Sequence, residues 1–424
     1  PLIAVTATAS DRVREDCCRI LRIDPNHNFF RSSADRQNLT YHVKSKPDSK
    51  DAVVKDMVTF IQTHHPKHAG IVYTFSRREA DEVATKLESH GISARSYHSS
   101  ISDASKEHIH NSWMKNRTKV VVATIAFGLG INKPDVRFVL HHSLSKSLEA
   151  YYQESGRAGR DGGKADCVLY YSVKDVSRMV GMIHGENGEG AFWSMVRYAQ
   201  EHGDDQLCRR IILSTLGEPG CDSVEQVLLQ SNGNRTEERE VGKHAKVLVR
   251  LLQWSQKDMT LQQIVTLWRS TNTEKIPDFL VECPPKDLTR EECERLVAAL
   301  FLSDVLFPKV VFTSYNSIVY IGLTETAALL LSAPNPKVKV RFPTRTKETS
   351  TKMSQQTTSD NGWINTNKAG FSKKRKIATP KSKKSANSST SYKKKKQVKK
   401  DDNFRDYIFG TIIPLGRSSN RYHR

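Results

Sequence analysis

Gly70-Ile71-Val72-Tyr73-Thr74-Phe75-Ser76 runs directly into Arg77 to Ser89, and these two segments decide the fold class. Ile71 to Phe75 is a short, uninterrupted run of β-branched and aromatic residues, which reads as a strand buried on both faces. In Arg77–Ser89, Ala80, Val83, Ala84 and Leu87 recur at three- and four-residue spacing, and Gly91 stands just past the end, so this segment reads as an amphipathic helix. A strand with no polar face followed by such a helix is the repeating unit of a parallel sheet covered on both sides. Working outward, Val120-Val121-Val122-Ala123, Val136 to Leu140 and Ala165 to Tyr170 read as further buried strands of the same α/β layer.

Beyond that layer the pattern changes. From about Val180 to Leu216 it is helical, and Ser231-Asn232-Gly233-Asn234-Arg235 reads as a linker. A small helical unit follows, with Val241, Ala245, Leu248 and Leu252 on one stripe. Thr260-Leu-Gln-Gln263 and Thr289-Arg-Glu-Glu292 have the form of capping boxes that open two more helices. Trp254 and Trp268 sit on these helices at core spacing and read as packing residues. Two strands are expected near Val310–Thr313 and Ile318–Ile321, joined through Ser314-Tyr315-Asn316-Ser317. Three helices followed by a β-hairpin suggest a winged helix. After Phe342 the composition turns to Thr, Ser, Lys and Asn, and residues 371–400 contain no acidic residue. Such a segment buries too little apolar surface to offset its chain entropy and is expected to be disordered.

The 424 residues carry a formal charge of +20 with a pI near 9.6. That balance favours a polyanionic partner, because Lys and Arg that neutralise phosphates release counterions. Charge alone is equally compatible with a ribosomal or membrane-surface role. The seven cysteines show no CxxC pair and no repeating spacing, so a reducing interior is expected rather than a disulfide framework. No apolar run reaches the roughly 18–20 residues of a spanning helix. The chain opens on Pro1 within a strand-like stretch, without a signal peptide, and reads as starting inside a longer protein.

Two stretches carry chemistry. Val122 to Asp135 leaves a strand for a loop holding Gly128 and Gly130, where glycine permits positive φ and close approach to a ligand. Tyr151-Tyr-Gln-Glu-Ser-Gly-Arg-Ala-Gly-Arg-Asp-Gly162 places Arg157 and Arg160 three apart, which aims both guanidinia the same way if the segment is helical. Two permanently charged planar forks beside a glycine suit polyphosphate oxygens, and phosphoryl transfer needs such groups against the charge growing on the γ-phosphate. The bland alternative makes them surface residues of a glycine-rich loop.

Gln153-x-x-Gly-Arg-x-Gly-Arg160 resembles motif VI of superfamily-two helicases, and Ala123 to Asp135 resembles motif V in the form found in RecQ helicases. Thr6-Ala-Thr-Ala9 resembles motif III, Gly70 to Ser76 motif IV, and Arg36-Gln-Asn-Leu39 the RecQ-type opening of the second motor lobe. The resemblance to RecQ helicases spans roughly residues 1–342 and is strongest over 70–172. Phe312-Thr-Ser-Tyr315 most resembles the short animal RecQ-one type.

This resemblance implies a remnant of the first RecA-like lobe and linker at 1–40, and a second RecA-like lobe at 41–178. It places a helical zinc-type subdomain with a linker at 179–235, a winged helix at 236–342 and a disordered basic tail at 343–424. It further implies ATP with Mg²⁺ in the complete protein, held between two lobes. Arg157 and Arg160 would reach across that cleft, and Gln153 would couple nucleotide to DNA. The loop from Thr124 through Gly128 and Gly130 to Asn132 would touch both. Tyr315 would be the tip of a hairpin that splits duplex or forked DNA; alternatively it folds back on its own domain. Exposed rings at such a tip gain by stacking on bases.

Some expected parts are absent from these residues. Neither G-x-x-x-x-G-K-[ST] nor a D-E-x-H box occurs, and Gly159 to Ala165 and Asp81-Glu82 only imitate them. The chain alone is therefore expected not to hydrolyse ATP. The family's four-cysteine zinc site is matched by Cys208 and Cys221 only, with Val224 where the closing cysteine belongs. Two cysteines do not complete a structural site, and a degenerate subdomain is the alternative. Lys373-Lys374-Arg375-Lys376, with Lys381–Lys384 and Lys393–Lys396, reads as a nuclear import signal or DNA-binding tail, or else as a solvated run. Residues 401–424 regain apolar side chains without indicating a role.

Three functions remain open. The first is the C-terminal portion of an ATP-dependent 3′-to-5′ DNA helicase of repair or recombination, with polarity and pathway taken from the resemblance. The second is a non-catalytic DNA-binding product without the ATP-binding lobe. The third, a winged-helix regulator, leaves the arginine motif unexplained.

Overall fold

Strands that are apolar on both sides need cover on both sides, and the computed structural model supplies it. It describes residues 3–6, 11–24, 28–124, 132–185, 189–201, 205–230, 236–270, 277–282, 285–314 and 316–344. After helix α1 (Asp11–Leu21) come β1 (Leu39–Ser45), α2 (Lys50–His64), β2 (Ala69–Tyr73), α3 (Arg77–Ser89), β3 (Ala94–Tyr97) and α4 (Asp103–Met114). The layer is completed by β4 (Val120–Ala123), β5 (Val136–His141), α5 (Leu148–Ser155) and β6 (Ala165–Tyr171). The six strands pair in the order β1-β6-β5-β2-β4-β3, every pairing parallel.

The pleat divides each strand between two cores. Ile71, Tyr73, Val121, Ala123, Val139, Cys167 and Leu169 belong to one core. Val72, Val120, Val122, Phe138, Leu140, Val168 and Tyr170 belong to the other, beneath α2 and α3. Successive side chains point to opposite faces, so a run such as Ile71-Val72-Tyr73 is wholly buried. Each such residue contributes about 1.5–3 kcal/mol. Gly70 is required by its neighbour: a Cβ there would lie 2.1 Å from the Phe138 ring. Helix α3 has the expected bounds, opened by Ser76, whose hydroxyl accepts from Glu79 N at 3.2 Å.

Four helices follow: α6 (Val173–Ile183), α7 (Glu189–Gln200), α8 (Asp205–Thr215) and α9 (Val224–Gln230). The last unit comprises β7 (Thr236–Glu240), α10 (Gly242–Ser255), α11 (Leu261–Trp268), α12 (Asp278–Glu282) and α13 (Arg290–Leu302). It ends with β8 (Leu306–Phe312), β9 (Ser317–Leu323), α14 (Glu325–Ser332) and β10 (Lys339–Pro343). Both capping boxes form. Thr260 N donates to Gln263 Oε1 at 2.9 Å, and Thr289 N donates to Glu292 Oε2 at 2.7 Å.

The β8–β9 hairpin is antiparallel, and Ile321 N donates to Met259 O at 2.9 Å, adding a short third edge. The expectation of three helices before the hairpin missed the five-residue α12. The charged ribbon of β7 with β10 was also not anticipated. Trp268 is buried as expected, but Trp254 is 48% exposed. It lies two residues beyond Leu252, about 200° around the helix from the buried stripe. Among the described residues no helix is long and apolar enough to cross a membrane.

Candidate functional site

The arginine motif begins on α5 and ends off it. Ser147 caps this helix, its hydroxyl accepting from Ala150 N at 3.1 Å, and Gly156 closes it. Arg157 and Arg160 therefore stand on a turn past the helix, so the condition under which their spacing would align them, a helical segment, is not met. The turn reverses at Gly159, with φ +56°, and again at Gly162, with φ +82°. Both values belong to the left-handed region that glycine enters without steric cost. Gly159 N donates to Val136 O at 2.9 Å and Asp161 N to Pro134 O at 3.3 Å, so the turn is fastened to the beginning of β5. Asp161 also pairs with Arg137.

Arg160 Nη1 donates to Asn132 Oδ1 at 3.2 Å, which brings together two residues singled out from different motifs. Thr124 lies at the other end of the same loop, just past β4, where Thr74 N donates to Ala123 O at 2.8 Å. Because β4 and β5 are parallel, the connection between them must return from the C-terminal end of one to the N-terminal end of the other. That is roughly 13–20 Å for strands of this length. One loop thus links the two ends of the sheet. Gly128 and Gly130 lie outside the described residues. Gln153 is exposed in the last turn of α5.

Beneath the turn is a polar group of which the sequence placed only Tyr73, in a buried strand. Tyr73, at the end of β2, stacks on His141 with centroids 5.1 Å apart. His141 Nε2 lies 2.9 Å from Glu154 Oε2, and Ser145 Oγ donates to the same oxygen at 2.6 Å. Burial pushes the Tyr73 hydroxyl well above its usual range, while a hydrogen bond from Arg157 acts in the opposite sense. Burial, then Arg157 and Arg36, draw the Arg160 guanidinium below its ordinary value. Arg157 and Arg160 on one turn make a site whose natural complement is a multiply charged anion. Tyr73, His141 and Glu154 were missed because a strand-end Tyr and His are indistinguishable from packing. Glu154 inside the motif was the available signal.

The imitations are explained by geometry. Gly159 to Ala165 leads into strand β6 rather than a helix, and its amides are already bonded: Gly162 N to Gly159 O at 3.1 Å, and Gly163 N to Asp161 Oδ1 at 3.0 Å. No cradle of free amides is available there for phosphate. Asp81 binds His98 Nε2 at 3.0 Å and Ser96 Oγ at 2.6 Å.

Cys208 is buried within α8 and Cys221 is exposed. Among the described residues no group of three or more His, Cys, Asp or Glu could hold a metal. The residues present do not fit a structural zinc. Tyr315, Lys373, Lys374, Arg375 and Lys376 lie outside the described residues. Phe312, three positions before Tyr315, is 66% exposed.

Residues 49–162, which hold the arginine turn and the whole loop from Thr124 to Asn132, match the family described as helicase conserved C-terminal domain. The chain is 35% identical over 336 residues to ATP-dependent DNA helicase Q1 of Mus musculus, covering 78% of this chain and 51% of that protein. It is 36% identical over 353 residues to ATP-dependent DNA helicase Q-like 2 of Arabidopsis thaliana, covering 82% and 48%. To RecQ-like DNA helicase BLM of Xenopus laevis it is 33% identical over 375 residues, covering 81% and 27%. The chain spans about half the length of the first two of these relatives. A RecA-like, all-parallel sheet with the helicase C-terminal domain, and this identity over most of its length, put the chain in the RecQ family of helicases.

Proposed function

We propose that this chain supplies the second motor lobe and the DNA-separating unit of an ATP-dependent 3′-to-5′ DNA helicase that unwinds duplexes in repair or recombination in the nucleus. The observation that carries the reading is the convergence of Arg157 and Arg160 on one glycine turn, next to the Asn132 end of a loop that leads back to Thr124. ATP with Mg²⁺, where bound, supplies the phosphoryl transfer. Arg157 and Arg160 would hold its terminal phosphates. Tyr73 orients Arg157, and the Thr124–Asn132 loop relates the nucleotide end of the sheet to the nucleic-acid end.

Residues 236–342 are read as a winged helix. The support is α10, α11 and α13 with the β8–β9 hairpin and its third edge at Met259–Thr260. The partner is single-stranded, forked or junction DNA, parted at Tyr315. The basic clusters from Lys373 to Lys376 and beyond add non-specific affinity or carry nuclear import.

A second reading, a non-catalytic DNA-binding product, is favoured by the absence of both ATP-gripping motifs from the 424 residues. The test is binding of the purified chain to a fluorescent forked duplex across a salt series. Tyr315→Ala and a chain ending at Phe342 are measured alongside, and DNA-stimulated ATPase is assayed. The proposal expects fork preference to survive removal of the tail and to fall in Tyr315→Ala. Affinity residing wholly in the tail, with no preference for the fork, would sink it. Both readings expect fork preference without ATPase from this chain on its own, and appreciable ATPase would exclude the second reading and overturn the expectation that the chain alone is inactive.

A further inference from the structure

The segment leading into β1 grips the arginine turn from behind. Arg36 Nη2 donates to Gly159 O at 2.8 Å and to Ala158 O at 3.2 Å. Asn38 Nδ2 donates to Gly159 O at 2.8 Å and to Gly163 O at 2.9 Å, stapling the two ends of the turn together. Arg36 Nε donates to Asn38 Oδ1 at 3.3 Å, so the two side chains brace each other. The fit is close: a Cβ on Gly159 would lie 2.4 Å from Asn38 Nδ2.

The clamp is itself held. Arg209 of α8 donates to Arg36 O at 2.8 Å and to Asp35 Oδ1 at 2.9 Å. Ala34 N donates to Glu218 Oε2 at 3.1 Å, and Arg31 Nη2 to Gly217 O at 2.7 Å.

We propose that Arg36 and Asn38 are positioning residues for the turn that presents Arg157 and Arg160. This rests on the reading of those two arginines as phosphate-binding groups. The turn projects Arg157 and Arg160 from a backbone that has only short-range bonds of its own apart from those to β5. Without the clamp the carbonyls of Ala158 and Gly163 would turn to water and Gly159 O would keep the bond from Gly162 N at 3.1 Å, so the turn would sample several conformers. A planar guanidinium fork and a bridging amide fix them. Misplacing a catalytic group by about 1 Å costs on the order of a hundredfold in rate, so a clamp two bonds removed from the chemistry has a large effect. The strap at residues 31–36 ties the same clamp to α8 and to the turn after it, so displacement there reaches Arg160 through Arg36.

The test uses the full chain with Arg36→Ala, Arg36→Lys, Arg160→Ala and the double variant Arg36→Ala/Arg160→Ala. Hydrogen–deuterium exchange is followed over residues 156–163 and over β4, and inorganic tripolyphosphate is titrated calorimetrically. In Arg36→Ala, exchange in the turn should rise about tenfold or more with β4 unchanged, a local opening made easier. Tripolyphosphate affinity should fall about five- to tenfold, Arg36→Lys should lie between, and the double variant should lose less than the two single losses combined, because Arg36 acts in part through Arg160. Unchanged exchange in the turn overturns the proposal, as do losses that add in the double variant. Should Arg36→Ala fail to fold, Arg36→Lys carries the test, and a wild-type exchange rate in it overturns the proposal. If wild type does not bind tripolyphosphate but exchange rises selectively and Lys restores it in part, the clamp stands and the phosphate reading of Arg157 and Arg160 falls.

Discussion

At the scale of single residues, Gly159 and Gly162 are a controlled comparison. Both have positive φ, but the space around Gly162 is open, whereas a Cβ on Gly159 would meet Asn38 Nδ2 at 2.4 Å and Gly163 O at 2.6 Å. Left-handed backbone costs an L-residue about 1–2 kcal/mol, and forced overpacking adds roughly 1–3 kcal/mol. Urea unfolding should therefore place Gly162→Ala about 1–2 kcal/mol below wild type and Gly159→Ala about 2–5 kcal/mol below it. Equal losses would mean that Asn38 yields freely and is no clamp. This level was only half legible in the sequence. The types and spacing of Arg157 and Arg160 suited an anion site, but the sequence left open whether their segment is helical, and only the backbone shows that α5 stops at Ser155. Tyr73, His141 and Glu154 were illegible because a buried polar network at the end of an apolar strand leaves no periodic trace.

Among the elements, legibility followed burial and local chemistry. Strands β2, β4, β5 and β6 are apolar on both faces and were read directly. β1, Leu-Thr-Tyr-His-Val-Lys-Ser, and β3, Ala-Arg-Ser-Tyr, lie at the sheet's two edges and mix polar with apolar residues. β7, Thr-Glu-Glu-Arg-Glu, has no apolar pattern at all, since it is defined by pairing with β10. The capping boxes were legible because four consecutive residues determine them.

One contact between elements has a pH signature. Asp166 on β6 lies 2.8 Å from His65 Nε2, at the end of α2, and 3.6 Å from His42 Nε2 on β1. Burial alone would raise this carboxyl, but the hydrogen bonds and charges of His42 and His65 outweigh it and hold it well below the usual carboxylate range. A carboxyl depressed in the folded state stabilises the fold above its unfolded pKa, about 4, and that contribution is lost as pH falls toward the folded value. Asp166→Asn should therefore cost about 1–2 kcal/mol at pH 7, the range expected of hydrogen bonds to a charged group, and measurably less at pH 3, the rest being lost only as pH falls further toward the folded value. Urea midpoints at the two pH values measure it. A deficit that persists undiminished in acid would show that Asp166 acts by packing rather than by charge.

At the scale of the molecule, the question is whether the hairpin unit moves with the sheet. Helix α13 belongs to that unit, yet its buried side chains bond to the lobe side. Gln200 Nε2, at the end of α7, donates to Arg295 O at 3.0 Å, and Arg295 Nη1 returns a bond to Gln200 Oε1 at 3.2 Å. The Arg295 guanidinium lies 5.2 Å from the centroid of the Tyr171 ring at the end of β6, and Ser45 of β1 donates to Glu291 at 2.6 Å. A charged group buried this way is costly to disturb, since removing one partner leaves the others desolvated and unpaired, at about 3–5 kcal/mol. These bonds tie α13 of the hairpin unit to β1, β6 and α7. Calorimetry of the intact chain should give one transition for the folded residues. Arg295→Ala should split it in two, the hairpin unit melting first, and should lower fork preference while leaving exchange over residues 156–163 unchanged. A single transition retained in Arg295→Ala, shifted only in temperature, would mean that the apolar contacts of α13 hold the two units together without the polar lock.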